Sequence, residues 1–198
     1  MKILLTIIGL SVISLFASGC SLFGKETVET APYDVLLKSD AYEVRHYDSL
    51  ILASTAMNGD IEEQRSPFFK LFNYISGEND ADTKIAMTSP VFMDENLSDN
   101  TAQTMSFVLP KSFTIENAPT PQNSDVTLEE ITDYTVATIR FNGSLNKENI
   151  DENTQKLEQW IAEQGYVVTG ASKAAGYNPP FTIPALKRNE ILIPIERP

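Results

Sequence analysis

The chain holds a single cysteine and a single histidine in 198 residues, and only 15 Lys+Arg against 27 Asp+Glu. A lone Cys20 cannot close an intramolecular disulfide. With His46 as the sole imidazole, Cys/His zinc clusters, two-histidine metalloprotease sites and histidine dyads are excluded. The shortage of cations leaves a formal charge of −12. A field of that sign repels nucleic acid and gains nothing at an anionic lipid surface. Three phrases that carry catalysis or phosphate binding are also absent: Gly-x-Ser-x-Gly, Gly-x-Gly-x-x-Gly and the full phosphate loop Gly-x-x-x-x-Gly-Lys-(Ser/Thr), since Gly19 to Lys25 has that spacing but is followed by Glu26. Acidic runs at 60–63 and 148–152 read as solvated helix starts, which the helix dipole favours. What remains, with 42% hydrophobic residues, is enough for one globular domain with its own core.

The first residues read as an address. Met1-Lys2 is a short basic start, and residues 3–16 form an almost unbroken apolar run, too short for a comfortable permanent span. Ala17-Ser18-Gly19 then precedes Cys20. This resembles a bacterial lipoprotein signal, cut before a cysteine that has been acylated. The expected division is a signal peptide at 1–19, a lipidated tether at 20–32 and a folded domain at 33–198. Several acyl chains on Cys20 would hold the protein firmly to a membrane. Ser21, where aspartate would favour inner-membrane retention, points to the outer membrane of the bacterial envelope, facing the periplasm.

The folded part repeats itself. Residues 51–57 and 134–141 are apolar, β-branched stretches closed by Asn58-Gly59 and Asn142-Gly143. Each is followed by an amphipathic helix. Phe68, Leu71, Phe72 and Ile75 fall at i, i+3, i+4, i+7, with Ser66-Pro67 at the expected start and Gly77 at the stop. Ile150, Thr154, Leu157 and Ile161 form the second stripe beside Trp160. Asn149 with Glu152 is the expected capping pair, and Gly165 the stop. Strand-like runs follow at 84–93, 105–109, 166–174 and 190–195, with loops at 95–104 and 118–125. Two strand–helix–strand–strand halves related by a pseudo-two-fold predict an α+β domain: a curved antiparallel sheet or open barrel partly covered by two helices. A hollow is expected between the halves.

Several phrases resemble the SOUL/haem-binding protein family: Tyr42-Glu-Val-Arg-His-Tyr47, Phe69-Lys-Leu-Phe-Asn-Tyr-Ile-Ser-Gly-Glu-Asn79, Lys84-Ile-Ala-Met-Thr-Ser-Pro-Val91, Ala175-Gly-Tyr-Asn-Pro-Pro180 and Arg188-Asn-Glu190. They cover nearly all of residues 33–195, in order. The resemblance implies a duplicated βαββ unit forming a distorted antiparallel β-barrel with two helices, similar to bacterial effector-binding domains. It also implies haem or another tetrapyrrole as ligand and brings no transferable catalytic residues.

Strand alternation puts Tyr42, Val44 and His46 on one face, with Glu43, Arg45 and Tyr47 on the other. A neutral imidazole on the more apolar face can serve as a haem-iron ligand, which the resemblance supports, or can be a packed histidine with hydrogen bonds only. Arg65 and Lys70 lie at and on the first helix. The resemblance implies that basic residues there meet the haem propionates; a solvated helix face would look the same. The expected apolar wall is Met57, Phe68, Phe72, Ile85, Met87 and Phe181, all equally compatible with plain core. Tyr177-Asn178 beside Pro179-Pro180 reads as a rigid loop over one barrel end. The function expected is non-catalytic binding of a hydrophobic small molecule by a lipid-anchored envelope protein, with no nucleic-acid partner. The alternatives are an envelope scaffold with a closed pocket and a small-molecule hydrolase.

Overall fold

The computed structural model describes residues 28–57, 65–94 and 103–197. The signal segment, Cys20 and most of the loop at 95–104 lie outside them. The frame is a pair of long antiparallel strands, β3 (Tyr42–Met57) and β7 (Thr127–Phe141). Their register runs from Tyr42↔Ile139 to Ser54↔Thr127. Chains rich in Val, Ile, Thr and Tyr favour such pleated pairing. The apolar stretches at 51–57 and 134–141 are thus parts of longer strands; the opening phrase at 42–47 runs straight on into the first of them.

Beside β3 lies β6 (Gln103–Val108), then β5 (Val91–Asp94), β9 (Lys173–Gly176) and β10 (Asn189–Glu196), which returns to β7. The six strands close into an antiparallel barrel, so none of them keeps a free edge along its whole length. Short strands decorate it. β2 (Asp34–Ser39) adds to β3, β8 (Val167–Val168) adds to β10, and β1 (Glu29–Thr30) pairs in parallel with β4 (Thr88–Ser89). The expected strand at 84–93 is divided at Pro90, which has no N–H to give a ladder. Residues 28–31, placed in the tether on sequence, are folded: Ala31 is buried and its N–H donates to Ser89 O at 2.9 Å.

The duplication is present in full. β3-α1-β5-β6 matches β7-α2-β9-β10, where α1 is Arg65–Ser76 and α2 is Lys147–Glu163. Leu71 and Ile75 of α1 and Ile150, Thr154, Leu157, Trp160 and Ile161 of α2 are buried. Gly77 (φ +121°) and Gly165 (φ +76°) end the helices in the left-handed region. The start of α2 differs from expectation. Asn146, not Asn149, is the cap, its Oδ1 accepting from Asn149 N at 3.0 Å.

Three apolar clusters result. One lies under α2 and includes Val44, Ile139, Leu157, Ile191 and Ile193. Another lies under α1 and includes Ile51, Leu71, Met105 and Phe107. The third takes side chains from all six barrel strands: Tyr47, Leu50, Leu52, Phe92, Val108, Val136, Ala175 and Leu192. It contains no helix residue, so it is the barrel interior, and it is filled. The hollow expected between the halves is therefore closed by side chains.

Candidate functional site

His46 sits midway along β3, in register with Thr135 on β7 and Asp34 on β2. Tyr42 and Val44, four and two residues earlier on the same face, pack under α2, where Tyr42 stacks on Trp160 at 5.1 Å. His46 continues that face beyond the packed cluster and remains a quarter exposed. Its Nδ1 lies 3.1 Å from Thr135 Oγ1 and its Nε2 lies 3.2 Å from Asp48 Oδ1. A carboxylate can only accept, so in this arrangement Nε2 carries a proton; in the neutral ring Nδ1 then accepts from the threonine. Asp48 is almost fully exposed and can swing away at small cost. With Nε2 given to a metal the ring proton would pass to Nδ1, which would then donate to Thr135 Oγ1, as ligating histidines do to their outer partners.

Two concavities flank this histidine. A small depression is formed by Pro32, Tyr33, Asp34, His46, Asp48 and Ser49. On the other side runs a groove of about 490 Å³ whose walls include Val44, Thr135, Tyr134, Tyr166, Ile195 and Arg197. Thr135 belongs to this groove and contacts His46, so the imidazole stands one side chain away from it. The size falls in the range of small-molecule clefts. Apolar and aromatic side chains alternate there with charged ones: Asp133, Glu196 and a single guanidinium, Arg197, 5.8 Å over the Tyr166 ring.

The expected apolar wall is only partly assembled, and elsewhere. Met57, Phe68, Ile85 and Met87 come together in the cluster under α1, packed as core. Phe72 joins through a stacked contact with Phe68 at 6.1 Å and is itself exposed. Phe181 does not join them: it is 86% exposed on the loop between β9 and β10. Lys70 is held by Asp125, Nζ to Oδ2 at 2.8 Å. Arg65 is the first residue of α1, and the placement of its side chain lies outside what the structure describes. His46 is not part of this cluster, so the histidine and the α1 wall are two places, not one pocket.

The sequence reading missed the strongest polar feature. The face bearing Glu43, Arg45 and Tyr47 turns into the barrel. Arg45 Nη1 and Nη2 donate to Glu190 Oε2 and Oε1 at 2.6 and 3.0 Å, and its Nε donates to Glu43 at 2.7 Å. Arg188 Nε and Tyr177 Oη also donate to Glu190, at 3.0 and 2.8 Å. The Tyr33 ring lies 4.2 Å from the Arg45 guanidinium carbon. Burial alone would push Glu190 up, but the two guanidiniums outweigh it and hold the carboxyl below its usual range. It is therefore a saturated carboxylate, unsuited to taking up a proton as a general base. Its signal in the sequence was the phrase Arg188-Asn-Glu190, whose partner stands 145 residues away.

A closed, duplicated βαββ barrel with two outer helices is an α+β fold of the effector-binding kind. The C-terminal domain of EcmrR superposes with a TM-score of 0.62 at 13% identity, over 84% of this chain and 99% of that one. A hydrolase from Listeria innocua gives 0.56 at 12%, over 81% and 94%. Identities this low speak for the fold alone. The family model described as "SOUL heme-binding protein" matches residues 28–194. Heme-binding protein 2 of Homo sapiens is 32% identical over 177 residues, covering 83% of this chain and 84% of the relative. Heme-binding protein 1 of Sus scrofa is 28% identical over 181 residues, covering 86% and 94%. The chain belongs to the SOUL haem-binding protein family.

Proposed function

We propose that this protein binds a tetrapyrrole, with haem the best candidate, reversibly and without catalysing a reaction. The observation that carries this reading is the seat of His46 on Thr135, a wall residue of a groove with apolar, aromatic and charged sides that is large enough for a flat organic ring. The residues fit the group. Leu36 and Tyr166 offer apolar surface over the buried Val44 and Ile195, Arg197 offers a cation for a carboxylate edge, and Thr135 orients an imidazole that can ligate iron once Asp48 moves aside. Haem when bound would supply an iron that the His46 imidazole could ligate; the protein would supply burial, orientation and charge. The names of the relatives point the same way.

Titrating haemin into the protein and following the Soret band tests this. Saturable binding is expected, with a shifted band and weaker affinity in His46→Ala. Saturable binding that His46→Ala leaves untouched would remove the histidine from the site. The absence of saturable binding would favour the second reading, an envelope scaffold, for which the filled barrel interior speaks. The same proposal includes acylation at Cys20 and attachment to the bacterial envelope, outer membrane facing the periplasm. It rests on the basic start, the apolar run and Ala17-Ser18-Gly19-Cys20. Mass spectrometry of the mature N-terminal peptide, and release of Cys20→Ala from the membrane fraction, test that part.

A further inference from the structure

We infer that the loop between β9 and β10 is a membrane-docking element that seats one end of the barrel on a lipid bilayer. Three large apolar side chains crowd this loop and face solvent: Phe181 is 86%, Ile183 64% and Leu186 60% exposed. Exposure of this kind in so short a stretch is not the scatter of single apolar residues normal on a surface. Nor does it come from a slack loop. Pro184 O accepts from Gly143 N at 2.9 Å, Lys187 O accepts from Asn142 Nδ2 at 2.8 Å, and Leu186 N donates to Ile183 O at 2.8 Å. Pro179, Pro180 and Pro184 stiffen it further. The backbone is pinned while the apolar tips point outward.

The occupant follows from charge and from where the chain enters the fold. In a protein with 27 acidic residues, the stretch from Gln164 to Asn189 contains none, and it carries Lys173, Lys187 and Arg188. The net field of −12 opposes approach to an anionic bilayer, but this stretch carries no carboxylate; Lys173 and Arg188 are paired with Asp94 and Glu190, which leaves Lys187 as the cation at the loop's base. Gly176 at the end of β9 pairs with Val91 at the start of β5, so the loop and residues 88–90 share one barrel end. β1 pairs with Thr88 and Ser89 there, and the segment leading to Cys20 enters at that end. Cys20 stands eight residues before Val28. At full extension that spans at most about 28 Å. An acylated Cys20 therefore tethers the protein from the end that carries this loop. The inference rests on the anchor proposed above for its orientation, and on the exposed tips for its contact.

The test uses the full chain, processed in a bacterial host and reconstituted into vesicles of phosphatidylethanolamine and phosphatidylglycerol. Phe181→Trp adds a reporter at a site too exposed to disturb folding; the parent, with Trp160 alone, gives the baseline. The added emission should be blue-shifted, and about half or more of it should be lost on brominated acyl chains, as for interfacial aromatic residues. Ile183→Asp with Leu186→Asp in the reporter chain should abolish that loss. Mass spectrometry of the N-terminus reports acylation separately. An acylated chain whose introduced indole escapes lipid quenching overturns the docking and spares the anchor. An unacylated chain whose introduced indole is still quenched overturns the anchor and supports the docking. Shielding from aqueous iodide without lipid quenching would assign the loop to a protein partner and overturn the inference.

Discussion

Among the described residues, Arg45 and Glu190 are the two charged side chains that are buried. Removing one leaves the other uncompensated, which costs about 3–5 kcal/mol in comparable pairs. Glu190→Gln should lower the unfolding free energy by roughly 3 kcal/mol in urea titrations. The pH dependence follows from the depressed carboxyl. Its folded value lies below the ordinary 4.5, so its contribution is complete above pH 4.5 and is lost as pH falls through the folded value. The urea midpoint of the parent should therefore fall below pH 4.5 more steeply than that of Glu190→Gln, and equal slopes would count against the pair. At the histidine the expectation has the opposite sign. Asp48 competes for Nε2. Exposed pairs are worth roughly 0.2–1 kcal/mol, so Asp48→Ala should tighten haemin binding by about 1.5- to 5-fold. In the double variant His46→Ala/Asp48→Ala that gain should vanish; its persistence would show that Nε2 is not the group being freed.

At the level of elements, α2 depends on its first turn. Asn146 Oδ1 satisfies the N–H of Asn149, and such caps are worth about 1 kcal/mol. Asn146→Ala should lower stability by that amount and Asn146→Asp should restore it, as read from denaturant midpoints; an unchanged midpoint in Asn146→Ala would remove the cap from the account. The sequence pointed three residues downstream, to Asn149 with Glu152, because two asparagines share one polar approach and only the chain's entry angle chooses between them. The helical stripes and their glycine stops were legible because 3.6-residue periodicity and a left-handed φ are local properties. The duplication was legible for the same reason, since each half carries its own strand, closing Asn-Gly and helix. The continuity of β3 was not. Tyr47 faces inward while Leu50 and Leu52 also face inward, so the alternation slips around Asp48-Ser49 and reads as a break. The site suffered most. His46 was found because it is the sole imidazole, but the Arg45–Glu190 pair and the groove beside Thr135 are made by residues far apart in sequence. Neither leaves a periodic trace. The aromatic residues Phe68, Phe72 and Phe181 looked alike as letters, yet one is half-buried under α1, one sits exposed on its flank and one stands on the β9–β10 loop.

For the molecule as a whole, the two halves share two seams, β3 with β7 and β5 with β9, and one common interior built from both. A half removed from its partner would expose long unpaired edges and half of that interior, so the halves should not unfold separately. Leu71 and Trp160 allow this to be checked from opposite sides. Leu71 is fully buried under α1 in the first half, and Trp160 is buried in α2 of the second. Leu71→Ala should cost about 2–5 kcal/mol. If the barrel is one cooperative unit, Trp160 fluorescence must report that loss in full although the substitution lies under the other helix. Its urea midpoint should shift together with the far-ultraviolet circular dichroism. A Trp160 transition that stays where it was, with a two-step dichroism curve, would mean that the seams do not couple the repeats. The long β3–β7 register argues against that outcome, since thirteen residues of β3, from Tyr42 to Ser54, run alongside the other half's longest strand.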